Sequence, residues 1–193
     1  MIIPPDNSSH TIRRMRFKDL DEVMVIEELS FSTPWSRRAY TNEVEGNHLA
    51  HLWVTEVCDL EGHQRVVGML VMWLILDEAH IANLAVHPEY RRRGYAERMI
   101  CTAFIEAIGR GAKSITLEVR EGNRAAQSLY HSFGLKAVGR RPKYYKDSSE
   151  DALIMTLIQL NRDMVHDFQM RLGSKKIGLS VDHIVEAKSG EEV

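Results

Sequence analysis

A chain of 193 residues, 44% hydrophobic and 27% charged, is long enough to bury one sizeable core and too short to make two domains the default. Its formal net charge of −2 excludes a global attraction for nucleic acid or an anionic membrane surface. Anions must then be held by local clusters such as Arg91 to Arg93 and Arg140 to Lys143.

The two cysteines, Cys58 and Cys101, lie far apart with no metal-ligand spacing to another Cys or His, so neither a disulfide framework nor a metal site is expected. No run of apolar residues is long enough to span a bilayer, and the segment after Met1 lacks the layout of a signal peptide. The expectation is a reduced, cytoplasmic protein without a membrane partner.

Residues 1–10 carry Pro4-Pro5 and Ser8-Ser9 and read as a flexible lead-in. Thr11 to Met15 is a short first strand. Asp19 is placed to cap a helix with Leu20, Val23, Met24 and Leu29 on its apolar face, and Pro34 stops any continuation. Ser36 is placed to cap a second helix that Gly46 closes. Between the two helices, Pro34 and Trp35 stiffen a loop on the substrate side. A tryptophan there is commonly an anchor packed on the core, the alternative being a substrate contact. Two strands follow, His51 to Val57 and Val66 to Leu76, joined by a polar segment with Gly62 that suits a hairpin.

Ile81 to Val86 is the next strand, closed by His87-Pro88, since proline cannot donate to a ladder. A basic turn, Tyr90 to Ala96, then opens onto a helix with apolar residues at Ala96, Met99, Ile100, Ala103, Phe104, Ala107 and Ile108, ended by Gly109 or Gly111. Such a turn lets backbone N–H groups and the positive end of the helix converge on an anion, with Gly94 allowing close approach. Pyrophosphate is a natural guest. An arginine-rich turn also reads as a solvated loop, and the turn alone does not separate the two.

From Ser114 to Val119 apolar and polar residues alternate, so one face of the strand is core. Asn123 is placed to cap a short helix ending near His131. Strands Lys136 to Arg141 and Ala152 to Leu160 complete the pattern. Antiparallel strands followed by a β-α-β unit predict an α+β fold, a mixed and mostly antiparallel sheet with helices on both faces. Past Leu160 the chain turns polar. Met164, Phe168, Met170 and Leu172 allow a weakly amphipathic helix that docks, or a wholly mobile tail.

Arg91-Arg92-Arg93-Gly94-Tyr95-Ala96 resembles the acetyl-CoA motif of the GNAT superfamily of N-acetyltransferases, Arg/Gln-x-x-Gly-x-Gly/Ala, with the last position Ala rather than the commoner Gly. Phe31 to Ser36, Leu117 to Arg120, Asn123 to Tyr130, Arg141 to Tyr145 and Glu150 to Met155 extend the match in order. Together they are similar to the branch that acetylates the N-terminal alanine of a bacterial ribosomal protein. The resemblance covers residues 11–160, taken as the transferase domain, and leaves 161–193 as a polar extension.

The resemblance implies a GNAT fold in which the strands at Ile81 and Ser114 splay apart. It implies acetyl-CoA as cosubstrate, no metal, and the N-terminal α-amine of ribosomal protein bS18 as acceptor. Acetyl-CoA would be held by the backbone of Leu84, Ala85 and Val86, by Arg91, Arg92, Arg93, Gly94, Tyr95, Ala96 and Glu97, and by Asn123. Glu118 would be the general base and Tyr130 the general acid, with Trp35, Tyr144 and Tyr145 shaping the acceptor groove.

Each residue also has an ordinary reading. Glu118 can pair with a surface arginine, Tyr130 can be core packing, Asn123 a cap, and Tyr144-Tyr145 a basic hairpin tip. His80, His87 and His131 read as structural, with His131 a spare acid/base candidate. Phe133-Gly134-Leu135 departs from the family's usual Leu-Gly-Phe. Fold and motif leave two other functions open, an acetyltransferase of relaxed acceptor scope and a non-catalytic CoA-binding module.

Overall fold

The computed structural model describes residues 10–58 and 62–173. The lead-in expected before His10 and the tail beyond Gly173 lie outside the described residues. Seven strands form one mixed sheet in the order β1 (His10–Arg14), β2 (Ala50–Cys58), β3 (Gln64–Ile75), β4 (Glu78–Val86), β5 (Ser114–Arg120), β7 (Glu150–Ile158) and β6 (Lys136–Tyr145). Every neighbouring pair is antiparallel except β4 and β5, which run parallel because helix α3 (Tyr95–Gly109) carries the chain from one to the next.

Strand β3 is the centre of the core. Val67, Leu70 and Met72 face one helical layer while Met69 and Val71 face the other, so its apolar run is buried on both sides. Helices α1 (Leu20–Ser30) and α2 (Arg37–Glu45) cover one face through Leu20, Val23, Ile26 and Tyr40. Helices α3, α4 (Arg124–Ser132) and α5 (Asp163–Gly173) cover the other through Met99, Phe104, Tyr130 and Phe168. A Cβ at Gly68 would meet Met99 Cε at 2.9 Å and the Ala85 carbonyl oxygen at 3.4 Å, so the glycine sets how closely α3 approaches the sheet. The α+β architecture with helices on both faces is the one expected from the sequence.

Local chemistry departs from expectation at several points. Ser36 does cap α2, its hydroxyl accepting from the Ala39 N–H at 3.2 Å. Asp19 does not cap α1. It already lies in helical geometry at the end of a 3-10 turn, Phe17–Asp19, and its carboxylate accepts from Arg13 at 2.6 and 2.9 Å and from the Arg16 N–H at 2.8 Å. Burial pushes that carboxyl up, but the Arg13 hydrogen bonds and the Arg16 amide outweigh it and hold it below the usual range.

Strand β6 runs past its expected end at Arg141 to Tyr145, so Tyr144 and Tyr145 are strand residues rather than a loop tip. The register against β7 shifts between Arg141 and Tyr145, Lys143 takes a positive φ of 51°, and its N–H is accepted by Asp151 at 2.8 Å. That irregularity carries an edge strand past Pro142, where a regular ladder would stop.

The chain after Leu160 forms α5, which docks on α3. Phe168 sets its ring edge-on to Phe104, centroids 5.1 Å apart, and against Phe133 at 5.8 Å. Arg171 donates to the Ser132 carbonyl at 2.7 Å and lies 4.7 Å over the Phe133 ring. The aromatic before Gly134, a departure from the family pattern, therefore serves the seat of α5, while Leu135 is fully buried in the place after it.

Candidate active site

Strands β4 and β5 pair only over Glu78–Ile81 with Ser114–Leu117. Beyond that point β4 keeps β3 and β5 keeps β7, so a V opens between them. Its cause is in β4. The register against β3 steps from Ile81 opposite Met72 to Asn83 opposite Val71, leaving Ala82 as the extra residue of a bulge, and a bulge bends its strand. Leu84, Ala85 and Val86 thereby present an edge without a strand beside it, suited to pairing with an extended guest. The Val86 carbonyl is already engaged, accepting from Arg91 Nε at 3.0 Å.

At the wide end of the V the chain enters α3 through Arg91 to Gly94. Arg92 and Gly94 both have left-handed backbone, φ 65° and 84°, which turns successive N–H groups toward one side as an anion nest. Glycine adopts this freely, whereas Arg92 bears a strain of about 1–2 kcal/mol. The Arg98 N–H bonds the Gly94 carbonyl at 3.1 Å, and the amides of Tyr95, Ala96 and Glu97 lie in the first turn at the positive helix end.

The side chains there divide in role. Arg91 braces the loop, its second contact being Ser30 Oγ at 3.1 Å. Arg92 is exposed. Arg93 lies 5.0 Å over the Tyr90 ring and donates to the Glu89 carbonyl at 3.3 Å. Tyr95 buries its ring in the core, so only its amide faces the turn. Across the V, Asn123 caps α4 by accepting from the Ala126 N–H at 3.1 Å through its carbonyl oxygen.

Alternation in β5 sends Leu117 and Val119 into the core under α3 and α4, and sends Glu118 and Arg120 to the α1–α2 face. Glu118 follows directly on the last β4–β5 pair. Its Oε2 accepts from His80 Nε2 at 2.8 Å and its Oε1 from Arg141 Nη2 at 3.0 Å. The His80 hydrogen bond, helped by Arg141 against the effect of burial, holds the carboxyl below its usual range, so Glu118 is ionised at neutral pH. Trp73 of β3 stands edge-on to His80, centroids 5.6 Å apart, stacks on Trp35 at 6.1 Å and donates Nε1–H to Glu43 at 2.9 Å.

Two walls rise from this floor. In the first, the Trp35 N–H is held at 2.8 Å by Glu27, a buried carboxylate that also accepts from Tyr40 at 2.8 Å and Asn83 at 3.0 Å. Burial pushes the Glu27 carboxyl up. This network fixes the loop after α1 to α2 and to β4. In the second wall, Arg120 lies 3.9 Å over the Tyr145 ring, and Tyr144 stands exposed beneath Arg141. Burial pushes the Tyr145 phenol up to about 12, with Arg120 opposing.

Arg120 also joins the walls. It reaches Ser32 Oγ at 3.0 Å, Asp147 at 2.9 Å and Ser148 Oγ at 2.8 Å, and Ser32 hydrogen-bonds Asp147 in turn. On the other face of β5, Tyr130 of α4 is buried in the core. Burial pushes its phenol well above the usual range, so it keeps its proton.

A family model described as the acetyltransferase (GNAT) family matches residues 20–135. The chain belongs to the GNAT family of acetyltransferases. A Bacillus subtilis (strain 168) protein, assigned provisionally as a ribosomal protein bS18-alanine N-acetyltransferase, is 39% identical over 144 residues, 75% of this chain and 92% of its own. The ribosomal protein bS18-alanine N-acetyltransferase of Escherichia coli (strain K12) is 31% identical over 150 residues, covering 77% of this chain and 97% of its own. The crystal structure of the ribosomal-protein-S18-alanine N-acetyltransferase from Escherichia coli superposes with a TM-score of 0.69 at 28% identity, over 79% of this chain and 94% of that one. This GNAT acetyltransferase is thus an acyl-transferring enzyme, and no helix among its described residues is long and apolar enough to cross a membrane.

Of the expected site residues, Glu118 lies on the α1–α2 face of β5, near Trp35, Tyr144 and Tyr145, and Tyr130 of α4 lies on the opposite face, in the core. Sequence reasoning did not find Trp73, Glu27 or Arg120, and it read His80 as structural. His80 contacts Glu118, because parallel pairing of β4 with β5 sets the two on one face, which a single sequence does not state. Trp73 and Glu27 are hidden inside runs that read as core strand and ordinary helix. His131 hydrogen-bonds the Leu135 carbonyl at 2.9 Å and serves the end of α4.

Proposed function

We propose that this acetyltransferase moves an acetyl group from acetyl-CoA to the N-terminal α-amine of ribosomal protein bS18. What carries the reading is the similarity to relatives bearing that name along 75% and 77% of this chain. The residues fit acetyl-CoA, since the left-handed turn at Arg92 and Gly94 and the open edge of β4 form one path from an anion nest to the foot of the V.

Acetyl-CoA supplies the activated acetyl group as a thioester. Arg92, Arg93 and the amides of Gly94, Tyr95, Ala96 and Glu97 hold its phosphates, with Arg91 bracing the loop. The edge of Leu84, Ala85 and Val86, helped by the side-chain amide of Asn123, holds the extended arm. Trp35, Tyr144 and Tyr145 wall the groove for the acceptor. The Glu118 side of the cleft takes the amine proton, and Tyr130 donates to the departing sulfur. An α-amine titrates at roughly 7.7–8.0, so only modest basic assistance is needed. This chemistry requires no metal, and the reading puts the enzyme in the cytoplasm.

Mass spectrometry after incubation with acetyl-CoA tests the proposal with two peptides, one carrying the bS18 N-terminus and one the same sequence with a blocked α-amine and a free lysine. One added acetyl on the first alone is the expected result. Acetylation of both makes the enzyme one of relaxed scope, and acetylation of neither overturns the proposal.

A further inference from the structure

Glu118 is poorly placed to act as a base by itself. Both of its oxygens are committed, one to His80 at 2.8 Å and the other to Arg141 at 3.0 Å, and hydrogen bonds to an ionised carboxylate weaken its hold on a further proton. One of those partners is an imidazole. A carboxylate only accepts, so a neutral His80 must carry its proton on Nε2, which leaves the lone pair on Nδ1. No hydrogen bond ties Nδ1 to any described residue.

The surroundings hold the ring in that role. The His80 side chain is more exposed than that of Glu118, 27% against 10%, and it sits opposite Thr116, just before the V opens. Trp73 meets it nearly perpendicular, at 74°, and fixes the ring plane. The charged and titratable groups facing it are Glu118 of β5, with Arg141 of β6 on the far oxygen and Tyr145 beyond, and Glu43 of α2 behind Trp73.

We infer that His80 takes the proton from the acceptor amine on Nδ1, and that Glu118 acts through it as a positioning residue that fixes the tautomer and stabilises the imidazolium. The inference rests on the acetyl transfer proposed above and assigns its base. As the amine nitrogen bonds to the acetyl carbonyl carbon, its proton passes to Nδ1. The C–S bond breaks with its electron pair leaving on sulfur, and Tyr130 returns one proton there. Solvent then takes the imidazolium proton and restores that of Tyr130, so nothing is oxidised or reduced.

The test combines kinetics with NMR on the full chain, using the bS18 peptide. His80→Gln is expected to lower kcat at least about 100-fold, the lower end of what a general base contributes, with the KM for acetyl-CoA unchanged. His80→Ala regains activity with added imidazole. Glu118→Gln costs less than His80→Gln, and costs almost nothing further when added to it, because the two act as one unit.

Nitrogen-15 spectra show His80 as the Nε2–H tautomer, lost in Glu118→Gln. An active wild type whose His80→Gln variant stays within about threefold in kcat, or a His80 protonated on Nδ1, overturns the inference alone. A wild type that acetylates neither peptide overturns the proposed function and this inference with it.

Discussion

Truncating Phe168 to alanine tests how α5 is held to the acetyltransferase domain. The side chain is 4% exposed and meets two rings, Phe104 at 5.1 Å and Phe133 at 5.8 Å. Burying a phenylalanine is worth roughly 1.5–3 kcal/mol, and each of the two aromatic pairs adds about 0.5–1.5 kcal/mol, so the ring contributes about 2.5–6 kcal/mol to the seat of α5. Deleting it in a core that cannot relax costs about 3–5 kcal/mol.

Helix α5 can respond by leaving, which caps the loss at its docking free energy. A loss of about 3 kcal/mol shifts the docked-to-undocked ratio about 100-fold, at 1.4 kcal/mol per factor of ten. The expected outcome of urea denaturation is a fall of about 3 kcal/mol in unfolding free energy. Hydrogen exchange of the α5 amides should speed up far more than that of α3. A loss below about 1 kcal/mol with α5 exchange unchanged would refute the reasoning and place the aromatic cluster outside the stability of the domain.

Replacing Arg92 and Arg93 together by alanine removes two cations from the proposed phosphate nest and should raise the KM for acetyl-CoA at least tenfold with kcat nearly unchanged, on about 1.5–3 kcal/mol per charged hydrogen bond. Initial-rate kinetics with acetyl-CoA varied check this. Arg120→Ala breaks the bridge from Ser32 to Asp147 and should raise the KM for the peptide while leaving that for acetyl-CoA alone, measured the same way. For stability, burial, with Arg110 and Arg14 adding to it, lowers His51 to about 4 from 6.5. The unfolded chain therefore binds the extra proton, and stability present above pH 6.5 is lost as pH falls toward 4. Between pH 6.5 and 5 this amounts to up to about 2 kcal/mol, at 1.36 kcal/mol per pH unit. Urea curves at the two pH values, compared with His51→Gln, should show the smaller fall in the variant.

Much of this protein was legible in its residues. Hydrophobic periodicity marks α3, alternation marks β5, and Arg91 to Ala96 carries a family signature, because each depends on neighbours within a few positions of one another. The mixed sheet and its two helical layers follow from that succession of elements, whereas the placing of β7 between β5 and β6 does not. Boundaries were less legible where a distant group intervened. Asp19 turned from capping to Arg13, and β6 continued through Pro142 because Asp151 of β7 takes the Lys143 amide.

The chemical arrangement of the site belongs to tertiary structure. His80 and Glu118 are 38 positions apart, and they meet because parallel pairing of β4 and β5 sets their register and face. The V that separates the strands arises at the Ala82 bulge, a mismatch in register with β3 that nothing local to β4 announces. Arg120 joins Ser32 and Asp147 from 88 and 27 positions away. The sequence by itself determined the elements, the basic turn that opens α3 and the family. Which groups pair across the cleft was decided by the fold, because register and strand curvature are set by contacts between segments rather than within them.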